Sequence, residues 1–183
     1  MRLGLQSKAF GPPHQSCGAC GQPLPADPED RINHAMACTK TKKREGYFRH
    51  HHIELELRRT LLESAAFHVT NEPHFESKGK DLRPDLEAFF GGGLPTSLVE
   101  VSVTHPSCST YVKDLKSHLV PRAAVRQREK EKTAKYKDLV GDRRYFTPAI
   151  AETYGALGPQ LERSLLGFIL LSSRGKMERH ITE

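Results

Sequence analysis

Two acids and a lysine hold the most direct chemistry in this sequence. Asp85 lies in Arg83-Pro84-Asp85-Leu86, Glu100 in Val99-Glu100-Val101-Ser102-Val103, and Lys132 in the charged run from Arg128 to Tyr136. Side chains alternate between faces along an extended chain. Asp85 and Glu87 therefore share one face of a strand, with Leu86, Ala88 and Phe90 on the other. In the next strand Glu100 and Ser102 oppose Val99, Val101 and Val103. If Gly91, Gly92, Gly93 and Leu94 form a four-residue turn, Phe90 pairs with Pro95. Counting outward then sets Asp85 opposite Glu100. Directly opposed residues have Cβ atoms ~5 Å apart. Two carboxylates that close repel unless a cation lies between them, and hard ions such as Mg²⁺ take oxygen ligands of this kind. The plainer reading is a pair of solvated acids, and a register slip of one residue would separate them.

The lysine shifts the balance toward chemistry. Val125, Glu129, Lys132, Tyr136 and Leu139 step by three and four, which puts Lys132 on the helix stripe that faces the sheet. Lys135 lies at the edge of that stripe. An inward lysine is costly unless it meets a carboxylate or a phosphate; otherwise it snorkels to the rim. Glu72, followed by Pro73, is a further acid that either supports a metal or caps a loop. Glu54 and Glu56 on the first helix are weaker candidates, whose plain reading is a solvated face.

Cys17, Cys20, His34 and Cys38 form a second constellation. A Cys-x2-Cys hook followed by a histidine and a cysteine at i and i+4 supplies three thiolates and an imidazole, a tetrahedral Zn²⁺ set. His14 competes for the histidine position, and Cys108 reads as a plain loop cysteine.

Seven elements form the frame that must position these groups. Phe48 to Ala66 reads as a helix with an apolar stripe of Ile53, Leu57, Leu61 and Ala65. Phe67–Glu72, Leu82–Phe90 and Leu98–Thr104 read as strands, the last two joined by the triple glycine. A polar loop is expected up to about Arg122. A charged helix follows over Ala123–Val140, then a strand over Tyr145–Glu152, where Pro148 suggests an edge or a bulge. Gly158–Leu171 reads as a final helix. The expected fold is α/β: a mixed sheet flanked by helices in the order αβββαβα. Residues 1–46 make a separate small segment, poor in periodic apolar residues, that metal would have to organise. Residues 47–183 make the main domain.

Composition narrows the partners. The chain of 183 residues carries a net charge of +6 and has a pI near 9.2, which favours an anionic partner. Lys40, Lys42, Lys43, Arg44, Arg49 and His50 follow the cysteine-rich segment and are the candidate nucleic-acid contacts. Their plain reading is a solvated surface. Mean hydropathy is −0.57, and the longest apolar run, Leu165–Leu171, falls far short of the ~20 residues of a membrane span. Arg2 and Lys8 precede no apolar run, so no secretory signal is expected.

Taken in order, these fragments resemble the restriction-like endonuclease of R2-type non-LTR retrotransposons, within the PD-(D/E)XK nuclease superfamily. The resemblance covers nearly the whole chain. It rests on Cys17-x2-Cys20-x13-His34-x3-Cys38, Arg49-His50, Asn71-Glu72-Pro73, Arg83-Pro84-Asp85, Glu100, Lys132-x2-Lys135-Tyr136, and the ending Thr147-Pro148 to Gly155-Ala156-Leu157-Gly158. It implies a restriction-endonuclease-like core with an N-terminal CCHC zinc knuckle. It also implies catalytic Mg²⁺ (or Mn²⁺) held by Asp85 and Glu100, with Glu72 in support. The superfamily's lysine, two residues after the second acid, is Ser102 here, so Lys132 or Lys135 would take its role. Glu100 stands where the group often has aspartate, and His51 where an acid or amide commonly follows Arg-His. The implied activity is nicking of target DNA by phosphodiester hydrolysis during retrotransposon insertion. The implied partners are DNA, RNA as a second nucleic acid, and a reverse transcriptase domain of a larger polyprotein; the implied location is intracellular, in the nucleus. Two alternatives remain: a non-catalytic nucleic-acid-binding module that keeps the fold, and a structure-specific, resolvase-like nuclease.

Overall fold

The structure is a computed structural model that describes residues 16–64 and 66–168, and for residues 37, 39 and 41–46 the backbone alone. The chain divides into two compact units, Met1–Glu45 and Gly46–Glu183. Among the described residues no helix is long and apolar enough to cross a membrane.

In the first unit, Ser16 and Pro23 bridge across a tight turn, with Gly21 at φ 73°. Helix α1 (Pro28–Ala37) starts on a strong local signal. Asp27 caps it by accepting from the N–H groups of Glu29 and Asp30, and Pro28 occupies the first turn, where its missing N–H costs nothing. Helix α2 (Thr39–Ser64) begins nine residues before the expected Phe48 and ends at Ser64. The apolar period that marks its second half is absent from its first, which is why the earlier turns escape a pattern search.

The second unit is a mixed α/β assembly. Its main sheet has the order β1 (His68–Asn71), β4 (Leu86–Phe89), β5 (Thr96–Thr104), β6 (Arg144–Glu152). The first two pairings are antiparallel and β5–β6 is parallel. β6 is an edge strand, in keeping with Pro148. The β4–β5 connection has Gly91, Gly92 and Gly93 all at positive φ, a path that glycine alone follows without strain.

Alternation divides the sheet as expected. Leu86, Ala88, Val99 and Val101 pack with Leu57 and Leu61 of α2, Ala149 of β6 and Leu161. Leu161 belongs to a helix over 159–168, here α5; residues 169–171 of the expected final helix, and Ala65 of the α2 stripe, lie outside the described residues. On the other face Leu98 packs with Tyr136 and Leu139, the end of the charged helix.

Three expectations need correction. The strand expected over Leu82–Phe90 is two strands. β3 (Lys80–Leu82) pairs with β2 (Phe75–Ser77) in a separate hairpin, and Arg83-Pro84-Asp85 lies between β3 and β4. Lys78 and Gly79 turn that hairpin with φ of 52° and 70°, a two-residue turn in which both positions are left-handed. The polar loop before Arg122 contains helix α3 (Ser109–Leu115). The charged helix α4 (Ala123–Tyr136) stops short of Val140 and tightens into a 3₁₀ turn over Lys137–Leu139.

Candidate functional site

The acidic pair is built by strand register. Leu86 pairs with Val99 and Ala88 with Ser97. One further step outward sets Asp85 across from Glu100, on the face opposite the apolar cluster. Neither acid is solvated. Glu100 is buried, and Asp85 is mostly so.

Asp85 is held by two donors. Its Oδ2 accepts the Val101 backbone N–H at 2.6 Å and lies 3.3 Å from His50 Nε2 of α2. Both contacts use Oδ2 and neither uses Oδ1. The bond to Asp85 outweighs burial and holds the His50 imidazole above its ordinary pKa, so a cationic ring is favoured beside the acid. Glu54, one turn on, places Oε2 3.9 Å from His50 Nδ1 and 3.5 Å from His51 Nδ1. Glu54 therefore belongs to the cluster. Glu56 instead pairs with Arg59 on the solvated face.

Glu100 is held by α4. Lys132 Nζ donates to Glu100 Oε1. The Tyr136 hydroxyl is 2.7 Å from Glu100 Oε2 and 2.9 Å from the Arg83 carbonyl. Lys135 Nζ donates to the same hydroxyl at 2.8 Å and stands 3.8 Å from Glu100 Oε1. The two lysines thus differ: Lys132 is 14% exposed and Lys135 48%. The spacing argument for an inward Lys132 leads to a real carboxylate partner. Ser102, two residues after Glu100, accepts from Arg128 Nε at 3.2 Å, a contact with no signal in the sequence beyond the helical phase of Arg128.

Glu72 is exposed at the end of β1, at φ 43°, and its N–H donates to the Asp85 carbonyl at 2.8 Å. It adjoins Asp85 through the backbone, the cap-like arrangement that Glu72-Pro73 also suggests. Arg83 is engaged by Asp81, with both Nε and a terminal nitrogen on Oδ2.

The cysteine–histidine quartet converges. The ligand atoms of Cys17, Cys20, His34 and Cys38 all lie within 4.8 Å of one another. Cys17 Sγ is 4.0 Å from Cys38 Sγ, and Cys20 Sγ is 3.4 Å from His34 Nε2. A tetrahedron with Zn–S near 2.3 Å sets its corners about 3.7 Å apart, so this donor set fits a metal such as zinc. The turn supplies the hook: Gly21 N–H donates to the Cys17 carbonyl and Cys17 N–H to Gln22. Backbone N–H groups of Cys20 and Ala19, together with His34, lower the Cys17 thiol to about 6 and favour the thiolate that a metal needs. α1 delivers His34 from its last turn, and Cys38 follows as the helix cap. Among the described residues this is the group in which three or more Cys, His, Asp or Glu ligands converge. His14 lies outside them.

Of the candidate nucleic-acid contacts, Lys40 is exposed on α2, Arg49 is half-buried, and His50 faces Asp85. Lys42, Lys43 and Arg44 lie on α2, but their side chains are outside the described ones. Cys108 is the N-cap residue of α3 and makes no side-chain cap. Set against known proteins, the chain matches no family model and no curated sequence.

Proposed function

We propose that the chain is a Mg²⁺-dependent DNA endonuclease of the PD-(D/E)XK kind, with a zinc knuckle at its N-terminus. The supporting observation is the placement of Asp85 across from Glu100, with Lys132 bonded to Glu100. Asp85 and Glu54 meet His50, Glu54 also meets His51, and Glu100 meets Lys132 and Lys135; the acids on the two chain segments have oxygen donors suited to a hard cation. Asp85 Oδ1, which is outside the contacts described above, and Glu100 would hold Mg²⁺. When bound, that ion supplies a water of lowered pKa and neutralises charge on the phosphate.

The remaining work falls to the protein's own groups. The Val101 N–H and His50 fix the Asp85 carboxylate. Tyr136 fixes the orientation of Glu100 and, through its bond to the Arg83 carbonyl, ties α4 to the segment carrying Asp85. Lys132 stabilises negative charge as it develops on the phosphate. The positive balance of the chain draws in the DNA backbone, so affinity falls steeply with salt. The setting is target-DNA nicking inside the nucleus by a domain that works beside a reverse transcriptase.

A second reading, a binding module without cleavage, draws on Ser102. Serine occupies the lysine position of the superfamily motif, and Arg128 is engaged with it.

Plasmid nicking by the purified chain separates the two. With Mg²⁺, nicking is expected, and none with EDTA. Asp85→Ala should abolish it while leaving DNA affinity within about twofold. Lys132→Ala should lower it on the order of a hundredfold, and the exposed Lys135→Ala far less. Tight, salt-sensitive binding with no nicking would select the binding module; equal loss of binding and cutting in Asp85→Ala would make that residue structural.

A further inference from the structure

Three cations line one flank of α4 at i, i+4 and i+7: Arg128, Lys132 and Lys135. Two of them are taken up by the acidic centre itself. Lys132 meets Glu100, while Lys135 meets the Tyr136 hydroxyl and stands near Glu100. Arg128 is placed differently. Its polar partners among the described residues are Ser102 and Glu131.

The two contacts differ in kind. Arg128 Nε donates to Ser102 Oγ at 3.2 Å. Ser102 is buried on β5, on the face that carries Glu100, so this bond anchors the guanidinium against the sheet. Arg128 Nη1 donates to Glu131 Oε2 at 2.9 Å, but Glu131 is 41% exposed and Arg128 37%. A half-exposed i, i+3 pair contributes little in water, so a stronger anion displaces it at small cost. Nη2 carries two further N–H groups that have no partner among the described residues. A phosphodiester suits these donors, because it accepts two parallel N–H bonds from a planar guanidinium.

Position says which phosphate. Ser102 follows Glu100 by two residues, roughly 7 Å along the strand. Arg128 precedes Lys132 by four residues, roughly 6 Å along the helix. The Arg128–Ser102 pair therefore stands one step beyond the Lys132–Glu100 pair on both elements at once. That step is comparable with the distance between successive phosphates of a DNA strand.

We infer that Arg128, held by Ser102, grips the phosphate that neighbours the scissile one, so that the cleaved strand runs along α4 from Lys132 toward Arg128. The inference rests on the nuclease reading above and adds to it the path of that strand. The net charge of +6 favours the same polyanion. A contact to a non-reacting phosphate holds ground state and transition state alike, so it acts on KM rather than on kcat.

The test is fluorescence anisotropy of the full chain with a labelled random-sequence DNA duplex over a series of KCl concentrations. Ca²⁺ replaces Mg²⁺ there to hold back cutting, and plasmid nicking with Mg²⁺ is measured beside it. Arg128→Gln should weaken binding about tenfold and lower the slope of log Kd against log salt by about one, as the loss of one phosphate contact requires. Arg128→Lys should keep the slope, because the charge stays, and still weaken binding several-fold, because an ammonium lacks the planar fork. Ser102→Ala should behave like Arg128→Lys. In nicking, Arg128→Gln should raise KM and leave kcat within about twofold, where Lys132→Ala lowers kcat. Melting temperatures should stay level. An unchanged slope in Arg128→Gln would overturn the inference, as would an equal drop in slope for the exposed Lys130→Gln. A fall in kcat matching that of Lys132→Ala would also overturn it, by setting Arg128 on the scissile phosphate. Absent nicking with the slope change intact would overturn the nuclease and leave a strand-gripping Arg128 standing.

Discussion

The Tyr136 hydroxyl stands at a junction: it touches Glu100 Oε2 and the Arg83 carbonyl and accepts from Lys135. Burial first, and then the neighbouring Glu100 carboxylate, push its phenol well above the ordinary range. The folded state therefore keeps this proton where the unfolded chain, with a tyrosine pKa of ~10, releases it. The resulting stability is fully present below pH ~10 and is lost as pH rises above it. Tyr136→Phe removes the proton and strands two acceptors. It should cost on the order of 1–3 kcal/mol at neutral pH and flatten the alkaline fall in stability. Urea denaturation of both proteins between neutral pH and pH 11 measures this; parallel curves would mean that Tyr136 titrates normally. The helical stripe makes the inward phase of Tyr136 legible from sequence. Its partners are not, because the Arg83 carbonyl lies 53 residues away along the chain and only the fold brings it there.

At the scale of elements, α4 and α5 are joined by an acid and a glycine. Glu129 is buried on α4, and its Oε1 accepts the Gln160 N–H at the start of α5, at 2.9 Å. Helix α4 and strand β6 close over Gly158, where a Cβ would fall 2.4 Å from that oxygen, 2.9 Å from Val125 Cγ1 and 3.1 Å from the Ile150 carbonyl. Gly158→Ala should therefore displace the Glu129 carboxylate and cost about 1–3 kcal/mol. A thermal melt should show a drop of several degrees, while Gly141→Ala, with open space around its position, controls for added bulk. An unchanged melt would mean that α5 shifts freely. The main elements were legible because period-two and period-3.6 patterns coincide with buried faces, as in Val99–Val103 and Ile53–Leu61. The register was legible because three glycines fix the turn. The β2–β3 hairpin was missed for a local reason. Its turn is Lys78-Gly79 rather than the stronger Asn-Gly or Asp-Gly signal, and its three-residue strands are too short for alternation to stand out. α3 was missed because none of its residues is buried, so it has no apolar stripe to read.

For the molecule as a whole, the two units should depend on metal in opposite degrees. Met1–Glu45 contributes Cys38 as its one buried apolar residue among those described, and its order converges on the Cys17, Cys20, His34, Cys38 quartet. Gly46–Glu183 holds both apolar clusters. A segment with so little core obtains its folding free energy from the ion, since ligand convergence exists only in the folded state. A strong zinc chelator should then release one zinc per chain and abolish hydrogen-exchange protection over α1, while β4, β5 and α4 keep theirs. Cys20→Ser should do the same without chelator, by removing one thiolate of three. Zinc content by elemental analysis, read beside exchange protection, tests both. Protection of α1 that survives complete loss of zinc would show that the Asp27 cap and the Gly21 turn suffice to order the segment. Loss of protection in β5 as well would mean that the main sheet draws on the metal too.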